Sequence, residues 1–270
     1  MPMLGAIIGD IVGSRFEWHN HRSKDFELFS DYCFFTDDSV MSVAVGKSLM
    51  DCEGDYTELS KVTTKNIRRI GKDYPDCGYG GMFYRWMFVQ EDPKPYNSFG
   101  NGAAMRVSSC GIVGTSLKQV KELSRKVTEI THNHPEGIKG AEATAVAVFL
   151  AKEKYSIEQI KEHIENHYYP MDFTLDEIRE TYTFNETCQE TVPQAIKAFL
   201  ESTSFEDAIR NAISIGGDSD TVAAITGGIA GAYYGIPEEF KERVLDFLDD
   251  YLVMYVEDFE ELYPSTNIID

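Results

Sequence analysis

Two short runs in this chain hold the side chains that hard cations select. They read Thr36-Asp37-Asp38-Ser39 and Gly217-Asp218-Ser219-Asp220-Thr221, and each introduces one of the most apolar stretches of the sequence. An uncompensated buried carboxylate costs several kcal/mol, so four of them at the edge of a core must be exposed, protonated, ion-paired or bound to cations. No lysine or arginine stands beside either run. Both runs also carry hydroxyls, and an all-oxygen set of carboxylates and hydroxyls without Cys or His suits Mg²⁺, Ca²⁺ or Mn²⁺. Four aspartates would balance the charge of two divalent ions. The plainer reading makes Asp38 and Asp220 helix N-caps and the other two surface partners. One acidic run would fit that reading; two, each heading a buried helix, favour a metal centre, provided that they meet in space.

Such residues need rigid supports, and the apolar spacing supplies helices. Val40, Val43, Ala44, Leu49 and Met50 form a stripe over 40–50, with Asp37 and Asp38 at its start, where a helix N-terminus favours negative charge. Residues 141–150 are Ala-rich and almost wholly apolar, which predicts a buried central helix. The stretch 221–234 reads the same way but contains Gly227, Gly228 and Gly231. Each glycine costs a helix about 1 kcal/mol relative to alanine, so three together predict another backbone packed close by. Between Cys77 and Ser108, glycines and prolines among aromatics predict loops around a site, with Tyr84 and Trp86 in the core. Residues 157–190 read as an external, polar segment that is helical in patches, and 237–261 as one helix closing over the core. With no linker or repeat, the expectation is one all-α domain spanning 1–270.

The bulk properties exclude several classes. The chain has 270 residues, 43% of them hydrophobic, enough for a full core. With 45 acidic against 25 basic residues the formal charge is -20, which repels a phosphate backbone, so no nucleic acid partner is expected. The apolar run from Met3 to Val12 is short, lacks a basic leader and contains Asp10, so it reads as neither signal peptide nor anchor. No stretch approaches the ~20 apolar residues of a membrane span. The five cysteines show no C-x-x-C spacing, which points to buried, inert thiols in a reducing cytoplasm. Oligomeric state has no signature in the sequence.

Five motifs occur in one order across more than two hundred residues: Leu4-Gly5-Ala6-Ile7-Ile8-Gly9-Asp10-Ile11-Val12-Gly13 followed by Glu17; Thr36-Asp37-Asp38; Ser98-Phe99-Gly100-Asn101-Gly102-Ala103-Ala104-Met105-Arg106; Thr131-His132-Asn133-His134-Pro135; and Gly216-Gly217-Asp218-Ser219-Asp220-Thr221. In this order they resemble the ADP-ribosylglycohydrolase family, which includes the dinitrogenase reductase activating glycohydrolase. The resemblance implies a compact, single-domain, orthogonal helical bundle with a binuclear Mg²⁺ or Mn²⁺ centre at the base of a cleft. It maps the metal ligands onto Thr36, Asp37, Asp38, Asp218, Asp220 and Thr221. Glu17 falls on the family's acidic residue after the first helix, a candidate to position or activate water or to touch the scissile sugar. With Asp37, Asp38 and Asp218 it forms the catalytic candidates.

The same resemblance places a diphosphate and ribose pocket at Ser98, Gly100, Asn101, Gly102 and His132, with Gly78, Gly80 and Gly81 beside it and Phe99 as a wall for the base or ribose. His134 receives no role. A glycine-rich turn at 98–102 would let backbone N–H groups approach phosphate oxygens, which an acidic protein needs in order to hold a diphosphate; Gly-Asn-Gly is also an ordinary tight turn. Ser39 stands where the family often has threonine, and the last run reads D-S-D where D-T-D is common; neither change removes a ligand. The loop after Glu17, with His19, His21 and Arg22, follows no pattern, which leaves the acceptor open.

The implied activity is hydrolysis at ribose C1″, releasing ADP-ribose from an arginine, serine or acyl linkage on a protein or a small conjugate. Cations would hold the ribose hydroxyls and stabilise developing charge. Ordinary glycosidases use two carboxylates without metal, and the surplus of ligand hydroxyls here argues against that plan. Two alternatives stand beside it: a module that binds ADP-ribose without catalysis, and a metal phosphohydrolase that cuts the diphosphate. Retention of Glu17 and all four aspartates speaks against the first, and product identity separates the second.

Overall fold

Polar caps placed ahead of apolar runs set where the helices begin. The computed structural model describes residues 2–264, and its helices in chain order are α1 (Pro2–Gly13), α2 (Asp37–Asp51), α3 (Leu59–Gly71), α4 (Gly81–Tyr84), α5 (Ser108–Val113), α6 (Leu117–Thr128), α7 (Pro135–Lys152), α8 (Ile157–His167), α9 (Leu175–Ile178), α10 (Cys188–Leu200), α11 (Phe205–Ser214), α12 (Ser219–Tyr234), α13 (Glu238–Leu245) and α14 (Asp250–Leu262). Among the described residues the one extended pairing is an isolated bridge between Gly100 and Thr187. The all-α expectation holds.

The three apolar runs become α2, α7 and α12, each reaching further toward its N-terminus than the apolar stripe. At the head of α2, Thr36 Oγ1 accepts from Asp38 N at 3.3 Å. At the head of α7, His134 Nδ1 accepts from Glu136 N at 3.1 Å, with Pro135 as the first helical residue. That gives His134 a structural task as a cap.

Close backbone contact accounts for the glycines of α12, and the partner is α1. A Cβ on Gly227 would overlap the carbonyl of Gly5, one on Gly5 would overlap that of Gly227, and one on Gly9 would overlap that of Ala223. At the far end a Cβ on Gly13 would lie 2.5 Å from Asp220 Cα. The two helices therefore run antiparallel at near-minimal separation, and the C-terminal end of α1 arrives at the N-terminal end of α12. Around this pair α7, α10 and α11 pack on α12, while α2 packs on α1.

Several expectations need correction. The closing segment is two helices, α13 and α14, because Asp249 caps a fresh start through bonds from Tyr251 N (3.1 Å) and Leu252 N (2.9 Å). The segment 157–190 is only partly external: Ile160, Ile164, Tyr169, Met171 and Leu175 are buried. Trp86 is buried as expected, but Tyr84 is 42% exposed, being on the outer side of the single turn α4. All five cysteines are free, but Cys52 and Cys77 are half-buried. No helix among the described residues is long and apolar enough to cross a membrane.

Candidate active site

The first acidic run is anchored from below by Asp10. This carboxylate, fully buried on α1, accepts from Thr36 N (2.9 Å), Thr36 Oγ1 (2.6 Å), Ser39 N (3.0 Å) and Ser39 Oγ. Those bonds fix the first turn of α2 against α1. Burial nevertheless dominates its ionisation and pushes its pKa up to about 6, with the Ser39 and Thr36 bonds opposing.

The second run is anchored by a side chain from the opposite end of the chain, through a pair of bonds to its backbone. Gly216 and Gly217 turn with φ of 70° and 81°, in the left-handed region that favours glycine. The Asn20 amide clasps Gly217 there, donating to its carbonyl at 2.8 Å and accepting from its N–H at 2.9 Å. Asp218 follows at once, and Asn101 Nδ2 donates to its Oδ2 at 2.6 Å.

The two runs meet. Thr221 Oγ1 donates to Asp38 Oδ2 at 3.2 Å, a direct bond between the clusters. Asp10, Asp38 and Asp220 bring one oxygen each to within 4.8 Å of one another, and Glu17, Asp218 and Asp220 do the same, so Asp220 is common to both groups. Asp37 belongs to neither group; its backbone N–H donates to Cys77 O at 2.8 Å and its side chain keeps a solvent face in the cavity above. At an effective dielectric of about 20, two unit charges within 4.8 Å repel by roughly 3 kcal/mol. An N-cap contributes only about 1 kcal/mol. Capping therefore does not account for this assembly.

Ionisation of the floor reflects burial first and that repulsion second. Burial pushes Asp37, Asp38 and Asp220 well above the usual carboxylate range, and neighbouring carboxylates add to the shift. Asp218 is also raised, first by burial. Half-buried Glu17 is raised to about 7 by burial and then by the charge of Asp218. The residues fit a hard cation. Asp38 Oδ1 is buried without a hydrogen-bond partner, and the surrounding donors are all oxygens. Asp10 is different, because four donors already occupy its oxygens; it buttresses the floor. The acidic groups are thus positioned to bind metal.

Above the floor lies a cavity of about 880 Å³. Gly78, Gly80 and Gly81 line one side, and a Cβ on Gly80 or Gly81 would meet nothing within 4 Å, so packing does not demand glycine at either. Their bareness leaves room in the cavity. Ser98, Gly100, Asn101, Gly102 and His132 line another side, and Phe99, 41% exposed, stands at the rim with its ring 5.1 Å from that of His134. Two amides of the 98–102 turn are already used: Gly100 N donates to Ser98 Oγ at 3.1 Å, and Asn101 N to Glu186 O at 2.7 Å. They are not free for a phosphate, contrary to the simplest reading of the glycine-rich turn. Across the mouth, Trp18 stacks on Phe184 at 4.9 Å.

All the expected ligands and wall residues therefore come to one cavity. Reasoning from sequence missed Asp10 as an anchor, Asn20 as a clasp, and Phe184 and Glu186 as lining. Asp10 carried a signal, a lone carboxylate in an apolar decade; the others carried none.

Comparisons with known proteins span most of the chain. A family model described as ADP-ribosylglycohydrolase matches residues 2–267. ADP-ribosylhydrolase ARH3 of Homo sapiens is 27% identical, with 89% of this chain and 87% of that protein aligned. ADP-ribosylarginine hydrolase Tri1 of Pseudomonas putida is 27% identical over 90% of this chain and 72% of its own. A solved structure described as an ADP-ribosylglycohydrolase-related protein complex is similar with a TM-score of 0.70 at 22% identity, covering 97% of this chain and 98% of that one, a likeness of fold. Motif order in the sequence and a match across nearly the whole chain lead to one placement: the protein belongs to the ADP-ribosylglycohydrolase family, hydrolases of ADP-ribose linkages.

Proposed function

We propose that this chain, acting as one unit over 1–270, hydrolyses the glycosidic bond at ribose C1″ of an ADP-ribosylated protein or small ADP-ribose conjugate. Two divalent cations, Mg²⁺ or Mn²⁺, would be held by Thr36, Asp37, Asp38, Asp218, Asp220 and Thr221. The observation that carries this reading is the Thr221 to Asp38 bond at 3.2 Å, which joins the two acidic runs into one floor. Bound there, the cations would supply Lewis acidity and a hold on ribose hydroxyls.

The chain's own residues do the rest. Glu17, beside Asp218 and Asp220 at the edge of the floor and raised to about 7 before any cation binds, serves as the general acid or base. Asp37, Asp38 and Asp218 complete the reactive set. Asn101 ties Asp218 to the wall through its amide and leaves its backbone in the turn. Ser98, Gly100, Gly102 and His132 receive the diphosphate and ribose, Gly80 and Gly81 leave space opposite, and Phe99 flanks the base or ribose. A cytoplasmic location suits five free thiols. Arginine is the acceptor named for the Pseudomonas relative, and serine and acyl linkages are the other candidates.

Product analysis tests the reading. Arginine-linked, serine-linked and acetyl-linked ADP-ribose are each incubated with the protein in Mg²⁺, in Mn²⁺ and in chelator, and the products are separated by chromatography. Free ADP-ribose that appears with cation and not with chelator is the expected result. AMP with ribose phosphate would assign the protein to diphosphate cleavage, and binding without any product would make it an ADP-ribose-binding module.

A further inference from the structure

Arg106 ends the Ser98–Arg106 motif and is 1% exposed. A buried cation ordinarily finds a carboxylate. This guanidinium instead turns to two neutral side chains: Nη2 donates to Thr131 Oγ1 at 2.8 Å and lies 3.4 Å from His132 Nδ1. Its Nε has no acceptor, and the Phe83 ring lies 5.4 Å away. Thr131 Oγ1 sits 2.7 Å from His132 Nδ1 and 3.4 Å from the Thr128 carbonyl. Thr131 and His132 are both buried.

The contacts of Arg106 decide between the two directions open to these bonds. A guanidinium only donates, so Arg106 occupies a lone pair of the Thr131 hydroxyl. The one hydroxyl proton then has a choice between Nδ1 at 2.7 Å and a carbonyl at 3.4 Å, and the shorter contact is the stronger bond. A proton on Nδ1 would instead face an N–H of Arg106 at 3.4 Å, donor against donor. Nδ1 is therefore an acceptor. Burial, with Arg106 adding to it, holds the imidazole pKa well below its ordinary value, so the ring is neutral and its proton is on Nε2. That nitrogen faces the glycine turn: a Cβ on Gly100 or Gly102 would lie 3.6 or 3.5 Å from it.

The geometry points to Arg106 and Thr131 as positioning residues that lock His132 in its Nε2–H tautomer, so that a donor backed by a buried positive charge meets an anionic phosphate oxygen at the Gly100–Gly102 turn. Such a donor adds to a turn in which the amides of Gly100 and Asn101 are already engaged. The phosphate rests on the ADP-ribose reading given above; the tautomer does not.

The test uses the full-length protein labelled with ¹⁵N-histidine and free of nucleotide, with His132 identified by loss of its signals in His132→Gln. Long-range ¹H–¹⁵N spectra at neutral pH should show Nε2 protonated and Nδ1 bare. Thr131→Val should mix or invert the tautomers, Thr131→Ser should restore them, and ADP-ribose affinity by calorimetry should fall about tenfold in the valine variant and recover in the serine variant. Recovery in Thr131→Ser shows that the hydroxyl, and not loss of fold, is responsible. A wild-type ring protonated on Nδ1, or an unchanged tautomer in Thr131→Val, overturns the proposal. If the tautomers respond as expected but wild type does not bind ADP-ribose, the positioning role stands and the substrate reading fails.

Discussion

At Asp10 four donors converge on two oxygens, and this convergence gives the first acidic run its shape. Asparagine there offers one acceptor oxygen and sets an NH₂ group against donors. Asp10→Asn should therefore cost about 2 kcal/mol, read by chemical denaturation, because buried donors lose their partner; unchanged stability would remove Asp10 from its anchoring role. Titration adds a second expectation at this scale. Without cations, Asp10 titrates near 6 and Glu17 near 7, above their ordinary 3.8 and 4.5. The folded state thus holds more protons than the unfolded chain between about pH 4 and pH 7, so the stability these groups contribute is whole below that window and declines as pH rises through it. Divalent cations compete with the protons of the proposed ligands Asp37, Asp38, Asp218 and Asp220, whose carboxyls burial also raises. Stabilisation by Mg²⁺ should be slight at pH 5 and, at a hundredfold excess over Kd, reach about 2.7 kcal/mol for each bound ion at pH 7.5, a rise of about 5 to 10 °C in melting temperature per ion by scanning fluorimetry. An equal effect at both pH values would contradict a carboxylate cage. The two acidic runs were legible in the sequence because charge beside apolar residues needs an explanation. The Asn20 clasp on Gly217 was not, since neither residue hints at its distant partner.

Among the elements, α1 and α12 decide where the site can exist. Their contact depends on glycine faces, and a Cβ on Gly9 would strike the Ala223 carbonyl, a backbone atom that cannot swing aside. Gly9→Ala should destabilise the protein by about 3 kcal/mol through overpacking, seen as a melting temperature lower by about 5 to 10 °C. Gly80→Ala is the contrast, because its Cβ enters open space: stability should hold while ADP-ribose affinity falls as the cavity narrows. A stable Gly9→Ala would mean that the helices do not meet as described. Helices α2, α7 and α12 were readable from apolar spacing, and the glycines of α12 foretold a close neighbour without identifying it. The break between α13 and α14 was hidden because apolar spacing runs on through it, with only the capping Asp249 to mark it. The inner side of 157–190 was hidden by its polar majority, although Tyr169, Met171 and Leu175 are buried.

Over the whole molecule, a formal charge of -20 surrounds a cavity whose floor is acidic and whose wall holds the buried cation of Arg106. That polarity suits the proposed ligand, with anionic phosphates at one end and a sugar that the proposed cations would hold at the other. The family and its helical fold follow from the match across residues 2–267, while the proposal of two cations and their ligands rests on how the two acidic runs meet. Calorimetric titration of the cation-stripped protein with Mn²⁺ tests that meeting most directly. Wild type should bind two ions per chain, and replacing both Asp38 and Asp220 by asparagine should weaken binding about a hundredfold or more. Binding of Mn²⁺ to the doubly substituted protein with wild-type stoichiometry and affinity would contradict the account.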